Sequence, residues 1–91
     1  MKATPKIFDH NAAFGCVLAE RRKGLGLSQE KLGFEAEMDR SFISLLERGR
    51  RSPTLDTLMR ICQVLDISLT QLSALVEAKL DRKNDCKSDP R

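Results

Sequence analysis

Asp39-Arg40-Ser41-Phe42-Ile43-Ser44-Leu45-Leu46-Glu47-Arg48-Gly49 is the stretch whose reading decides the fold. It has the marks of a short helix with defined ends. Asp39 stands where a carboxylate accepts from the free N–H groups of a first turn. Gly49 stands where a helix stops in the left-handed conformation that side-chain-bearing residues resist. Ile43, Leu46 and Glu47 share one stripe at i, i+3, i+4 spacing, so the inner face is apolar apart from one carboxylate. Arg40, Ser41, Ser44 and Leu45 then point away from the core. The pattern describes a helix held by its inner face so that its outer face can enter a groove.

Working outward on the amino side, Ser28 is placed to cap a helix over Gln29–Ala36, and Glu37-Met38 makes the turn into the central stretch. Leu32 and Ala36 face inward, and Gly33 lets another backbone approach closely, at a cost in helix propensity. Two short helices separated by about three residues, the second with polar outward residues, follow the helix-turn-helix plan. Gly24-Leu25-Gly26-Leu27 breaks the chain before them. Ahead of that break, a first helix runs from Asp9 or Asn11 to Lys23, with Phe14, Leu18, Arg22 and Leu25 on its stripe and Val17 beside it. Arg22 is a charge in a core position, and Glu47 is its one obvious answer, since it holds the equivalent position on the third helix. The alternative is that Arg22 runs its stem along the surface and keeps its charge in water.

On the carboxyl side, Arg50-Arg51-Ser52-Pro53 is a loop and Thr54 caps a fourth helix, with Asp56 at the positive end of its dipole. Leu55, Leu58, Ile61, Cys62 and Leu65 repeat at 3–4 spacing, which makes Cys62 a packed small hydrophobe. After a break at Asp66-Ile67, Ser68 and Gln71 form a capping box for a fifth helix. Leu69, Leu72, Leu75, Val76 and Leu80 are more apolar residues than one face can hide. The surplus points to a second copy of the chain packed on Leu69, Leu72, Leu75 and Val76; a wider buried face in the monomer is the alternative.

The expected class is therefore all-α, with five helices in one domain over residues 10–80, a loose arm at 1–9 and a charged, disordered tail at 81–91. Ninety-one residues suffice for a single small core, and aromatics at 4% favour aliphatic helix packing. The formal net charge is +3. Five arginines against two acids between Arg40 and Arg60 place that excess beside the central helix. Three cysteines at wide spacing with no CxxC pair argue against a disulfide framework and a zinc site, and fit a reducing cytoplasm. Cys86 is the thiol expected to be exposed. No secretory segment or membrane-length apolar run occurs. His10 has no second ligand or nucleophile beside it, and no nucleophile–base pair, paired acids or metal cluster suggests an enzyme or a cofactor.

Arg22, then Gly26-Leu27-Ser28-Gln29-Glu30-Lys31-Leu32, then Arg40 through Leu55 resemble the phage-repressor/Cro-type (XRE) helix-turn-helix family over roughly residues 10–76. The resemblance implies a five-helix, lambda-repressor-like bundle that binds double-stranded DNA as a homodimer and regulates transcription. The regulator is either a repressor or the controller of a mobile element or restriction system, with the sign of regulation left open. The resemblance implies that Arg40, Ser41, Ser44 and Leu45 face base edges. It also implies that Gln29, Arg48, Arg50 and Arg51 meet phosphate, and it carries the family's core ion pair onto Arg22 and Glu47. Phe42 either touches a thymine methyl or packs back on the second helix. Two residues depart from the pattern: Glu37 stands where a glycine is usual and Gly33 where an alanine is usual, which together predict a weaker second helix and turn. An antitoxin that also grips a toxin is the nearest other reading. A protein-interaction module that kept the fold and lost DNA is the third.

Overall fold

The computed structural model describes residues 9–82, the last of them for its backbone only. Residues 1–8 and 83–91, which include most of the expected arm and tail and Cys86, fall outside the described residues. Five helices follow in order: α1 (His10–Gly24), α2 (Gln29–Ala36), α3 (Arg40–Glu47), α4 (Leu55–Leu65) and α5 (Leu69–Arg82). The last runs two residues into the stretch expected to be tail. Their packing closes a ring: α1 lies on α3 and α5, α2 on α3 and α4, and α4 on α5. Leu18, Leu32, Ile43, Leu46, Ile61, Leu65 and Leu72 fill its centre and are wholly buried. Every helix gives at least one residue to that set, so the core is shared, not layered.

The helix starts follow the sequence with one exception. Ser28 accepts from the Lys31 amide at 2.9 Å, and Thr54 accepts from the Thr57 amide at 3.1 Å. Ser68 and Gln71 make the reciprocal bonds of a capping box, both at 3.0 Å. Asp39 is the exception. Its backbone is extended as a cap requires, but its side chain accepts no bond from the helix backbone. It accepts instead from the Ser41 hydroxyl at 3.0 Å.

The ends of α1 to α4 share one device. Each last turn closes with an amide reaching back five residues: Leu27 to Arg22, Met38 to Gly33, Arg50 to Leu45 and Ile67 to Cys62. This is the Schellman arrangement, and it needs one residue in the left-handed region. Gly26 and Gly49 supply it at φ 74° and 73°; Glu37 and Asp66 supply it at φ 60° and 57° despite their side chains. Both acid-ended helices receive an arginine from elsewhere in the ring. Arg60 of α4 donates to the Ala36 carbonyl at 3.4 Å. Arg21 of α1 donates to the carbonyls of Leu65 and Asp66 at 3.2 and 3.3 Å. Cations thus sit on the negative poles of α2 and α4, where such a charge is favourable.

Two glycines are required by close approach. A Cβ on Gly33 would lie 2.7 Å from the Met38 carbonyl oxygen, so the tight turn between α2 and α3 has no room for the alanine usual in the family. A Cβ on Gly15 would lie 2.5 Å from the carbonyl oxygens of both Leu46 and Glu47. There α1 crosses the end of α3 backbone to backbone.

Several expectations need correction. Leu72 is 1% exposed within the single chain, so it is a core residue and no part of a free face for a second copy. Leu25 and Leu55, placed on apolar stripes by spacing, are exposed: Leu25 follows the end of α1, and Leu55 is the first residue of α4. Cys62 is buried and free, and desolvation pushes its thiol above the usual value of 9.0. Cys16 is buried on α1.

Candidate nucleic-acid interface

α3 presents the outward residues in two grades. Arg40 and Ser41, in its first turn, are exposed; Ser44 and Leu45 are half-buried. Phe42 is half-buried against the core cluster and so belongs to the inner side. Beyond the helix end, Arg48, Arg50 and Arg51 are exposed, with Arg48 donating back to the Ser44 carbonyl at 3.4 Å. An exposed guanidinium therefore stands at the start of α3, and three more stand past its end. Ser41 gives its proton to Asp39, so its hydroxyl meets the outside with lone pairs only.

Behind this face the two core charges meet. Arg22 Nε donates to Glu47 Oε2 at 2.6 Å, and Arg22 Nη2 donates to Glu47 Oε1 at 3.0 Å, a two-pronged contact. The side chains are only 10% and 6% exposed. Arg22 Nη1 also donates to the Leu27 carbonyl at 2.8 Å, so the pair ties α1, the following turn and α3 together. A third member was not legible from spacing. Gln29, the first residue of α2, donates its Nε2 to Glu47 Oε1 at 2.9 Å. The residue implied to clamp phosphate is thus half-buried and already bonded on one side. The signal for it was faint: a glutamine beginning α2 with a glutamate ending α3, brought together only by the tight turn.

Among the described residues no group of His, Cys, Asp and Glu is placed to hold a metal ion. Among the same residues no single helix is long and apolar enough to cross a membrane. His10 is exposed at the start of α1.

A helix-turn-helix family model matches residues 18–72, from the middle of α1 into α5. The chain belongs to the helix-turn-helix family. Like its relatives in that family it is a DNA-binding transcriptional regulator of the XRE type. It is 36% identical over 64 residues to the uncharacterized HTH-type transcriptional regulator y4dJ of Sinorhizobium fredii, covering 70% of this chain and 83% of that protein. It is similar to the crystal structure of the restriction–modification controller protein C.AhdI from Aeromonas hydrophila. That match has a TM-score of 0.67 and 39% identity over 68% of this chain and 94% of the other. The controller C.Esp1396I, solved bound to a 25 base pair operator site, matches with a TM-score of 0.69 and 26% identity. That match covers 76% of this chain and 91% of the other. Within this helix-turn-helix protein α2 and α3 are the two helices that give the family its name, and the Arg22–Glu47–Gln29 cluster lies at their shared base.

Proposed function

We propose that this chain is a control protein of the restriction–modification kind, which binds an inverted-repeat operator as a dimer. α3 of each copy enters the major groove of one half-site. The observation that carries the reading is the free, exposed Arg40 at the start of a helix with Arg48, Arg50 and Arg51 exposed past its end. An operator-bound relative of the same fold supports it. The fork of Arg40 matches O6 and N7 of guanine, a contact worth about 1–3 kcal/mol of discrimination. Arg48, Arg50 and Arg51 supply sequence-blind attraction to phosphate, and affinity then falls steeply with salt. An interaction module without DNA has no use for that arrangement of charge.

Two copies joined by a twofold axis read half-sites about 10 base pairs apart, centre to centre, or a multiple of that. The surface available for joining them is on α5, where Leu75 is exposed and Leu69 and Val76 are half-buried. Such a protein works in the cytoplasm, where its operator is. The test is selection of bound sites from random duplexes, followed by titration of Arg40→Ala and Arg51→Ala on the selected site and on random DNA. Arg40→Ala should weaken the selected site alone. Arg51→Ala should weaken both and reduce the salt slope by about one. Identical behaviour on the two DNAs would overturn the division of labour, and no selected sequence would overturn the reading itself.

A further inference from the structure

We infer that the DNA-facing surface continues from the loop after α3 onto the start of α1, and that Lys2 and Lys6, in the segment leading into α1, meet phosphates beside those met by Arg48, Arg50 and Arg51. The inference rests on the operator-binding reading above and adds a second group of cations to it. The placement comes from a close crossing. A Cβ on Gly49 would lie 2.9 Å from the Ala12 Cα and 3.2 Å from the Ala12 nitrogen, so the first turn of α1 is seated on the glycine between Arg48 and Arg50. Three residues further along α1 the contact repeats, where Gly15 faces the carbonyls of Leu46 and Glu47. The amino end of α1 is thereby fixed at the corner where Arg48, Arg50 and Arg51 stand exposed. The chain that precedes His10 enters the fold at that corner.

Lys6 is four residues ahead of His10 and Lys2 is eight, so the chain can carry them no more than about 14 and 28 Å from the start of α1. Phosphates of one strand succeed each other about every 3.4 Å along the duplex axis, which puts several within that range of the arginine corner. Two lysines against Asp9 leave residues 1–9 at a net +1. Residues 83–91 have the same net charge, with Lys83, Lys87 and Arg91 against Asp85 and Asp89. Charge does not separate the two ends of the chain; position does. Lys79 Nζ of α5 lies 2.9 Å from Glu20 Oε2. Glu20 is eight residues beyond Ala12 on α1, about 12 Å further from the arginine corner. The carboxyl segment, which begins four residues after Lys79, therefore departs from the other end of α1.

The experiment measures the salt dependence of binding by the full chain, on the selected site and on random duplexes. Lys2→Ala combined with Lys6→Ala should weaken both DNAs alike and reduce the log–log salt slope by about 1–2, since each phosphate neutralised contributes about 0.9. Lys83→Ala combined with Lys87→Ala removes the same charge and should bind with the slope of wild type. Arg51→Ala is the reference, with its own loss of about one. An unchanged slope in the Lys2 and Lys6 variant, while Arg51→Ala loses its share, would overturn the inference. Equal reductions in the two double variants would also overturn it, by showing attraction through net charge without placement. Failure of the wild type to bind DNA, or of Arg51→Ala to lose slope, would instead remove the reading on which the inference stands.

Discussion

Glu37→Gly isolates the strain at the turn between α2 and α3. Glu37 holds φ 60° and ψ 48°, a conformation that costs a side-chain-bearing residue about 1–2 kcal/mol and glycine almost nothing. Glycine also loosens the unfolded chain, which takes back about 0.4–1 kcal/mol. The ion pair forgone is small: Arg60 lies 3.9 Å from a carboxylate whose side chain is 82% exposed, and such surface pairs contribute about 0–1 kcal/mol. Arg60 keeps its bond to the Ala36 carbonyl and its 3.2 Å contact with Asp56. The central values leave a net stabilisation of about 0.3 kcal/mol over wild type and about 0.8 kcal/mol over a variant that loses the same ion pair but keeps the Cβ. For a domain of this size the larger figure is about 3–6 °C in Tm. The assay is thermal unfolding followed by far-ultraviolet circular dichroism, with urea unfolding alongside to confirm an unchanged m-value. Glu37→Ala is the control, because it removes the charge and keeps the Cβ; it should melt at or slightly below wild type. If Glu37→Gly melts with Glu37→Ala or lower, the left-handed residue carries no strain and the argument fails.

Three further outcomes are expected. Gly33→Ala should destabilise, because its Cβ would meet the Met38 carbonyl at 2.7 Å, and overpacking of about 1–3 kcal/mol exceeds the roughly 1 kcal/mol gained in helix propensity; a raised Tm would show that the turn widens freely. Glu47→Ala should cost about 3–5 kcal/mol by leaving Arg22 buried with the Leu27 carbonyl alone. Pairing Glu47→Leu with Arg22→Met should recover most of that loss in a urea titration, and a double variant as weak as the single one would refute the account. Cys62 should resist a disulfide reagent at pH 8 until the chain unfolds. Its raised folded pKa means that its contribution to stability is whole below the unfolded value and is lost as pH rises through the folded one, so melting above pH 9 should fall less steeply in Cys62→Ala.

The elements were legible because their signals are local. Ser28, Thr54 and the Ser68–Gln71 pair mark helix starts within four residues of chain, and the leucine and isoleucine spacing marks the inner faces. The Arg22–Glu47 pair was legible because a charge on an apolar stripe calls for an opposite charge on another. What escaped were relations set only by packing. Gly15 is an undistinguished residue of α1 until α3 crosses it, and Arg21 and Arg60 read as surface charges until their carbonyls are in view. Asp39 has the chemistry of a cap, but Ser41 two residues on competes for its carboxylate and wins. Leu72 was assigned to an outer surface because periodicity ranks apolar residues on one helix equally, and only the ring of five helices separates those that close the core from those that remain outside it.

The backbone crossing at Gly15 bears on how such a protein changes its target. Because α3 is seated on bare main chain at its far end, it has almost no freedom to tilt or slide in response to a different operator. New preferences must then arise by exchanging the outward side chains on an unmoving frame. A lineage of these regulators can be re-lettered one position at a time while the scaffold beneath stays the same.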